Sequence, residues 1–234
     1  MNNKKYSYFT PYMVYLNAIK MLDYRNLEIV YSSNYSEKER SNISLNQETF
    51  TKQFQFYGYI ILEAKDSKNK IRRNKSNKPI KTFIIITKSY NVGDLTKQIS
   101  KIDDINKIQR NFSSDIIIIS EFEVTKLSLQ KLQESIEQPE TNDSGYINVN
   151  TYIYDYFTSE RPKHKIVPEH RILTQKEEDS LLNITYLDKS NMPKISVSDV
   201  NCVWIGAEID DVIEIKMISE ASGYEYYYRV VKKI

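Results

Sequence analysis

Two short runs, Phe83-Ile84-Ile85-Ile86 and Ile116-Ile117-Ile118-Ile119, contain no polar residue. A strand with one face in water alternates apolar and polar side chains, so an unbroken apolar run reads as a strand buried on both faces. Each run therefore calls for a central place in a sheet with helices to cover it. Helical spacing supplies the helices. Tyr12, Tyr15, Leu16, Ile19 and Leu22 follow an N-capping Thr10 and a Pro11 at the first helical position. Phe50 and Phe54 stand one turn apart after the capping-box pattern Ser44-Leu45-Asn46-Gln47. Leu95, Ile99 and Ile102 mark another helix, and Leu129, Leu132 and Ile136 a fourth. With Tyr57 to Ala64 and Thr82 to Thr87 read as strands, residues 10–138 become an α/β unit with a mixed sheet.

Glu137 to Gly145 is polar, aperiodic and broken by Pro139 and Gly145, which places a domain boundary there. Beyond it, Tyr146 to Phe157 reads as a strand, because tyrosines 152, 154 and 156 alternate. Thr174 caps a helix running through Glu177, with Leu181 and Leu182 on its buried side. Ile195 and Val197 alternate in a strand, Asp199 caps a short helix, and Gly206 suits a left-handed C-cap. Val212 to Ile218 and Tyr224 to Val231 form a hairpin turning through Ser219 to Gly223. This second region is a small α+β domain with a largely antiparallel sheet. The two domains span 1–140 and 146–234.

No window is apolar enough to span a membrane, and the N-terminus lacks the apolar core of a secretory signal. A single cysteine, Cys202, excludes an intrachain disulfide. With only His164 and His170 beside it, it also excludes a cysteine–histidine zinc cage. Residues 1–145 are net basic and residues 146–234 net acidic, a division that suits nucleic acid at one half and protein at the other. From Lys65 to Lys81, eight Lys/Arg face a single acid, Asp66. That loop either attracts phosphate or is a solvated excursion between strands. Glu63-Ala64-Lys65 has the spacing of the Glu-x-Lys half-motif of restriction-type nucleases, which hold Mg²⁺ with an acidic pair. Glu28 and Glu48 are the acids on offer as partner. Glu177-Glu178-Asp179, Asp210-Asp211 and Glu220 read as solvated carboxylates. No catalytic residue, cofactor or metal ligand is assigned.

The C-terminal third carries a longer pattern. His164-Lys165-Ile166-Val167-Pro168-Glu169-His170 leads into Thr174-Gln175-Lys176-Glu177 and then Met192-Pro193-Lys194-Ile195. Asp199 stands seven residues before Gly206, and Ser219-Glu220-Ala221-Ser222-Gly223-Tyr224 precedes Tyr228-Arg229. In order and spacing this resembles the assembly domain of the fifth shared subunit of eukaryotic RNA polymerases, whose archaeal counterpart consists of little else. The pattern departs at Val200 (a proline in the family), at Trp204 (a tyrosine) and at Glu208-Ile209-Asp210 (a Lys-Arg-Gly turn). The N-terminal likeness follows element order. Asn26-Leu27 replaces a glycine-containing turn, Val92-Gly93 precedes a helix, and Ile116 to Ile119 leads to a DNA-facing loop, here Thr125-Lys126-Leu127-Ser128.

The resemblance implies a non-catalytic subunit of a multisubunit DNA-directed RNA polymerase. Its C-terminal assembly domain would dock on the largest subunit and the rest of the core polymerase through His164, Pro168, His170, Asp199, Gly206, Glu220, Gly223, Tyr228 and Arg229. Its N-terminal jaw domain would hold downstream duplex DNA without sequence preference, through Thr125, Lys126 and Ser128. The restriction-type nuclease using Glu63 and Lys65 is the alternative. Nineteen tyrosines, with abundant Ile, Lys and Asn, suggest an AT-rich genome such as that of a large DNA virus. The chain would then act in the viral factory or virion, or in the nucleus if cellular.

Overall fold

A computed structural model describes residues 10–30, 46–66, 80–89, 91–100, 113–136, 147–186, 188–219 and 221–234. The chain divides into two compact units, Met1–Ser159 and Glu160–Ile234.

The first unit runs α1 (Thr10–Tyr24), β1 (Leu27–Val30), α2 (Gln47–Tyr57), β2 (Tyr59–Asp66), β3 (Ile80–Thr87), α3 (Val92–Ser100), β4 (Ser113–Ser120), α4 (Lys126–Ile136) and β5 (Ile147–Ile153). Its strands form one mixed sheet in the order β1-β2-β3-β4-β5. The pairs β1–β2 and β2–β3 are antiparallel; β3–β4 and β4–β5 are parallel. The two isoleucine runs are β3 and β4, side by side near the middle, and Ile84 to Ile86 and Ile116 to Ile119 are all 0% exposed. Phe83, Ile85, Ile116 and Ile118 pack against Leu95 and Ile99 of α3 and Leu132 of α4. The alternate residues Ile84, Ile86, Ile117 and Ile119 turn to the other face, and α1 packs against β1 and β3.

The buried stripe of α1 is Pro11, Val14, Tyr15, Ala18 and Leu22, joined by Asn17 and Met21. The sequence spacing put Tyr12, Leu16 and Ile19 on that stripe; they are half-buried. The helix turns that way because buried Asn17 donates to Phe157 O at 2.8 Å. The rings of Tyr12, Tyr15, Phe50 and Phe54 cluster, with centroids 5.0 Å apart for Tyr15–Phe50 and 5.3 Å for Phe50–Phe54. Helix α2 is capped by Asn46, whose side chain accepts from Thr49 N, while Ser44 and Leu45 lie outside the described residues. It continues through Tyr57, where the sequence reading began a strand. Gly58, at φ 77°, stops it with a left-handed residue.

Ile147–Ile153, assigned from sequence to the second domain, pairs with β4 as the edge strand of this first sheet. The strand ends at Ile153, and Tyr154–Phe157 is a 3-10 turn in place of continued alternation. Tyr154 and Phe157 are almost wholly enclosed, and the Tyr154 hydroxyl donates to Thr87 O at 2.8 Å. These buried rings and bonds move the junction between compact units from residues 140–146 to Ser159/Glu160.

The second unit contains β6 (Glu169–Ile172), α5 (Gln175–Thr185), β7 (Lys194–Ser196), α6 (Val200–Ile205), β8 (Val212–Ser219) and β9 (Gly223–Lys232). The sheet order is β6-β8-β9-β7, antiparallel except for the parallel pair β7–β9. One face holds Ile213, Ile215 and Val231 against Cys202 and Ala207. The other holds Val212 and Val230 against Leu173 and Met192, with Leu181 and Leu182 of α5 packed on them. It is thus a small α+β unit with a helix on each side.

Replacing Tyr154 by Phe removes the donor to Thr87 O inside the first unit. We expect a loss of about 1–2 kcal/mol in urea unfolding with unchanged far-ultraviolet circular dichroism. Unaltered stability would show that the bond does not hold the turn to the sheet.

Candidate functional site

The candidate residues fall at strand ends. In the first unit, β3 and β4 are parallel neighbours, so Thr87 and Ser120 end side by side. Beyond Ser120 the chain reaches Thr125, which caps α4. Its hydroxyl accepts from Ser128 N at 3.2 Å and lies 2.9 Å from Ser128 Oγ. Thr125 and Lys126 are exposed and Ser128 is half-buried. Thr125 therefore has a capping duty, and the first N–H groups of α4 open outward beside the Lys126 charge. A similar device stands after β3. Asn91 accepts from Gly93 N at 2.9 Å, and Ser89 Oγ donates to Asp94 at 3.0 Å.

Glu63 and Lys65 lie on β2. Glu28 of β1 stands opposite Lys65, and Glu63 pairs with Lys81 at 3.7 Å. Among the described residues, no group of three or more His, Cys, Asp or Glu could hold a metal ion. Of the basic loop, only Lys65, Asp66, Ile80 and Lys81 are described; the other six Lys/Arg lie outside the described residues.

In the second unit, His164 shapes the entry turn. Its N–H donates to Arg161 O at 3.1 Å, and its carbonyl accepts from Val167 N at 2.9 Å. His170 Nδ1 lies 2.8 Å from Pro168 O. A carbonyl only accepts, so Nδ1 carries the proton and Nε2 points elsewhere. Asp199 accepts from Asn201 N at 2.9 Å and caps α6. Gly206, at φ 70°, closes that helix: its N–H reaches Val203 O and the Ala207 N–H reaches Cys202 O, a Schellman pair. Gly223 opens β9 opposite Ser219 at φ 79°. Arg229 Nη1 donates to Lys194 O at 3.2 Å. Glu220 lies outside the described residues.

Tyr228 leads to a group that sequence reasoning missed. Arg171, Glu214 and Tyr228 are directly opposite one another on β6, β8 and β9. Arg171 Nη2 bonds Glu214 at 3.0 Å, and the Tyr228 hydroxyl donates to the other Glu214 oxygen at 3.2 Å. Arg171 Nη1 reaches Glu177 at 2.8 Å, and Glu177 accepts from Thr174 N at 2.8 Å in a full capping box. Burial, then the Glu214 charge, raises the Tyr228 phenol. Burial likewise pushes the Cys202 thiol up to about 12, helped by Asp199 and Asp211, so it sits in the core as a protonated thiol.

The acidic cluster is not simply solvated. Glu177 is a cap, and Glu178 is 8% exposed and paired with Lys189. Asp210 pairs with Lys232, and Asp211 accepts from Glu208 N at 2.7 Å. A second missed feature is the outer half of the β8–β9 hairpin, where Met217, Ile218, Tyr224, Tyr226 and Tyr227 are all exposed. The two-residue spacing of Tyr224, Tyr226 and Tyr228 was its signal.

Residues 160–231 match the family described as RNA polymerase Rpb5, C-terminal domain. A curated relative named DNA-directed RNA polymerase subunit Rpo5, from Thermococcus onnurineus (strain NA1), is 45% identical over 78 residues, covering 33% of this chain and 89% of that subunit. The chain belongs to the Rpb5/Rpo5 family. The Rpo5 subunit of Thermococcus kodakarensis is 48% identical over 68 residues, covering 29% of this chain and 83% of its own. The DNA-directed RNA polymerase RPB5 homolog of African swine fever virus (isolate Warthog/Namibia/Wart80/1980) is 28% identical over 125 residues, covering 53% of this chain and 59% of its own.

Two departures from the family pattern keep its backbone. Asp210 stands at the glycine of the Lys-Arg-Gly turn and adopts φ 75°; Asn26, in the turn after α1, adopts φ 57°. Asp and Asn are the side chains that best tolerate left-handed backbone. Lys232 then fixes Asp210 by its ion pair.

The Thr174 N–H, the Arg171 guanidinium and the Thr174 hydroxyl together hold the Glu177 carboxyl at about 2, against an ordinary 4.5. A depressed carboxylate contributes stability that is fully present above its unfolded value and is lost as pH falls through the folded one. The urea midpoint should therefore drop between pH 4.5 and about 2. Glu177→Gln should flatten that fall. An unchanged slope would remove Glu177 from the network.

Proposed function

We propose that this chain is a non-catalytic subunit of a multisubunit DNA-directed RNA polymerase. Its C-terminal unit docks on the largest subunit, and its N-terminal unit contributes to the jaw that holds downstream DNA. The carrying observation is the match to archaeal polymerase subunits, which takes in 89% of the Thermococcus onnurineus chain while using 33% of this one. In those relatives, a chain little longer than the matched segment is the whole named subunit. The C-terminal unit thus holds the elements a polymerase needs to accept it. The viral relative matches over a longer stretch, 125 residues, which favours a large DNA virus as source and the viral factory or virion as the place of action.

The N-terminal unit supports the DNA role through its chemistry. Lys126 is exposed at the open end of α4, where helix N–H groups and a lysine together attract phosphate. Such contacts position a duplex without reading its bases.

Affinity purification of the tagged full chain from its native transcription system should bring down the two largest polymerase subunits in equal amounts. Their absence would sink this reading. Within the assembled polymerase, Lys126→Glu should weaken the grip on downstream duplex and shallow the log–log salt dependence by roughly 0.9 for each phosphate released. Subunit assembly should remain intact. Photocrosslinks from downstream phosphates that land on residues 68–78 and not near Lys126 would assign DNA binding to the basic loop.

A further inference from the structure

The outer edge of β9 is open along most of its length. On that side β9 pairs with β7 only at Val230, Val231 and Lys232. The direction of each main-chain group follows from the bonds at that end. The Val230 N–H points outward to Pro193 O, and the Val231 N–H points inward to Asp211 O. Strand alternation then turns the N–H and C=O of Tyr228, Tyr226 and Tyr224 outward.

The β7 ladder stops for a chemical reason. Val197 N–H donates to Lys232 O. In a parallel ladder the same offset recurs every second residue, so the donor for Tyr228 O would be the N–H of residue 193. Residue 193 is proline and has none. Among the described residues, no strand pairs with β9 outside β8 and this short β7.

Exposed edges are normally blunted by charge, proline or a bulge at the outward positions. Here those positions are all tyrosine. Tyr224 and Tyr226 are 57% and 50% exposed, and Ile218 beside them on β8 is 82% exposed. The rings of Tyr224 and Tyr226 lie on the same face as Ile218 and Lys216, and Lys216 Nζ sits 4.3 Å from the Tyr224 ring centroid. An unblunted edge flanked by an apolar aromatic face fits an extended strand carrying apolar side chains at alternate positions.

We propose that the β9 edge from Tyr224 to Tyr228 accepts an extended segment of the largest polymerase subunit as an added strand, in line with β7 and ending at Pro193. This rests on the reading of the chain as a polymerase subunit. The choice of occupant comes from the archaeal matches, which locate the means of joining a polymerase in a unit of this size. The main-chain groups supply the affinity, and the Tyr224–Tyr226–Ile218 face selects the side chains.

The test uses the full chain and its polymerase. Tyr226→Pro removes an outward N–H while leaving the β8–β9 ladder whole, since edge positions facing outward tolerate proline. Co-purification of the largest subunit should fall about tenfold or more, the loss expected when main-chain partners go unpaired. Tyr226→Thr, which keeps the N–H in a strand-compatible residue, should lose several-fold less. Equal losses in the two variants, or full co-purification by a folded Tyr226→Pro chain, would overturn the proposal.

Hydrogen exchange on the unmodified chain gives a reading that does not depend on the variant's folding. The Tyr224, Tyr226 and Tyr228 amides should exchange rapidly in the free chain and become protected in the assembled polymerase. Rapid exchange in both states would overturn strand addition. Protection already present in the concentrated free chain would assign the edge to a second copy and also overturn it. If the unmodified chain brings down no polymerase subunit, the functional reading itself fails.

Discussion

Adjacent residues that are both buried in one strand are the constraint on which both units depend. Ile84 to Ile86 and Ile116 to Ile119 impose it in the first unit; Val212–Ile213 and Val230–Val231 impose it in the second. Side chains alternate across a sheet, so consecutive buried positions require cover on both faces. That requirement brings α3 and α4 to one side of the first sheet. In the second it sets α5 on one face and the residues around α6 on the other. Apolar side chains occupy these strand centres completely, which leaves the strand ends for polar and exposed groups. The Thr125–Ser128 loop beyond β4 and the outer half of the β8–β9 hairpin both lie at such ends.

Polar side chains then fix how the elements meet. Asn17 ties α1 to the turn after β5, and Tyr154 ties that turn to the end of β3. In the second unit, the line from Thr174 through Glu177, Arg171 and Glu214 to Tyr228 joins a helix cap to three strands. These bonds are ionic or charge-assisted and partly exposed. They define register and orientation more than they add stability.

Much of this was legible in the sequence because it depends on local rules. The caps Thr174 and Asp199, the left-handed stop at Gly206 and the hairpin between Val212 and Val231 are each set by a few consecutive residues. The readings that changed depended on distant partners. The tyrosine alternation at 152, 154 and 156 continued past the true strand end because both rings and backbone of Tyr154–Phe157 found partners in α1 and β3. Glu178 reads as a surface acid until Lys189 is placed beside it. Arg171 and Glu214, 43 residues apart, carry no shared local signature. The motif residues also divide by duty. Asp199, Gly206 and Gly223 shape backbone, while His164 and Arg229 are exposed.

The sequence by itself determined which segments are central strands, where helices start and stop, and the family pattern of the last third, since each follows from residue type and spacing along the chain. Tertiary structure alone decided that Ile147–Ile153 closes the first sheet, and that the short reach of β7 leaves the β9 edge open. Strand pairing joins residues that are remote in sequence through backbone groups common to every residue. Which edge is filled and which stays free is therefore settled only when the packed elements compete for those groups.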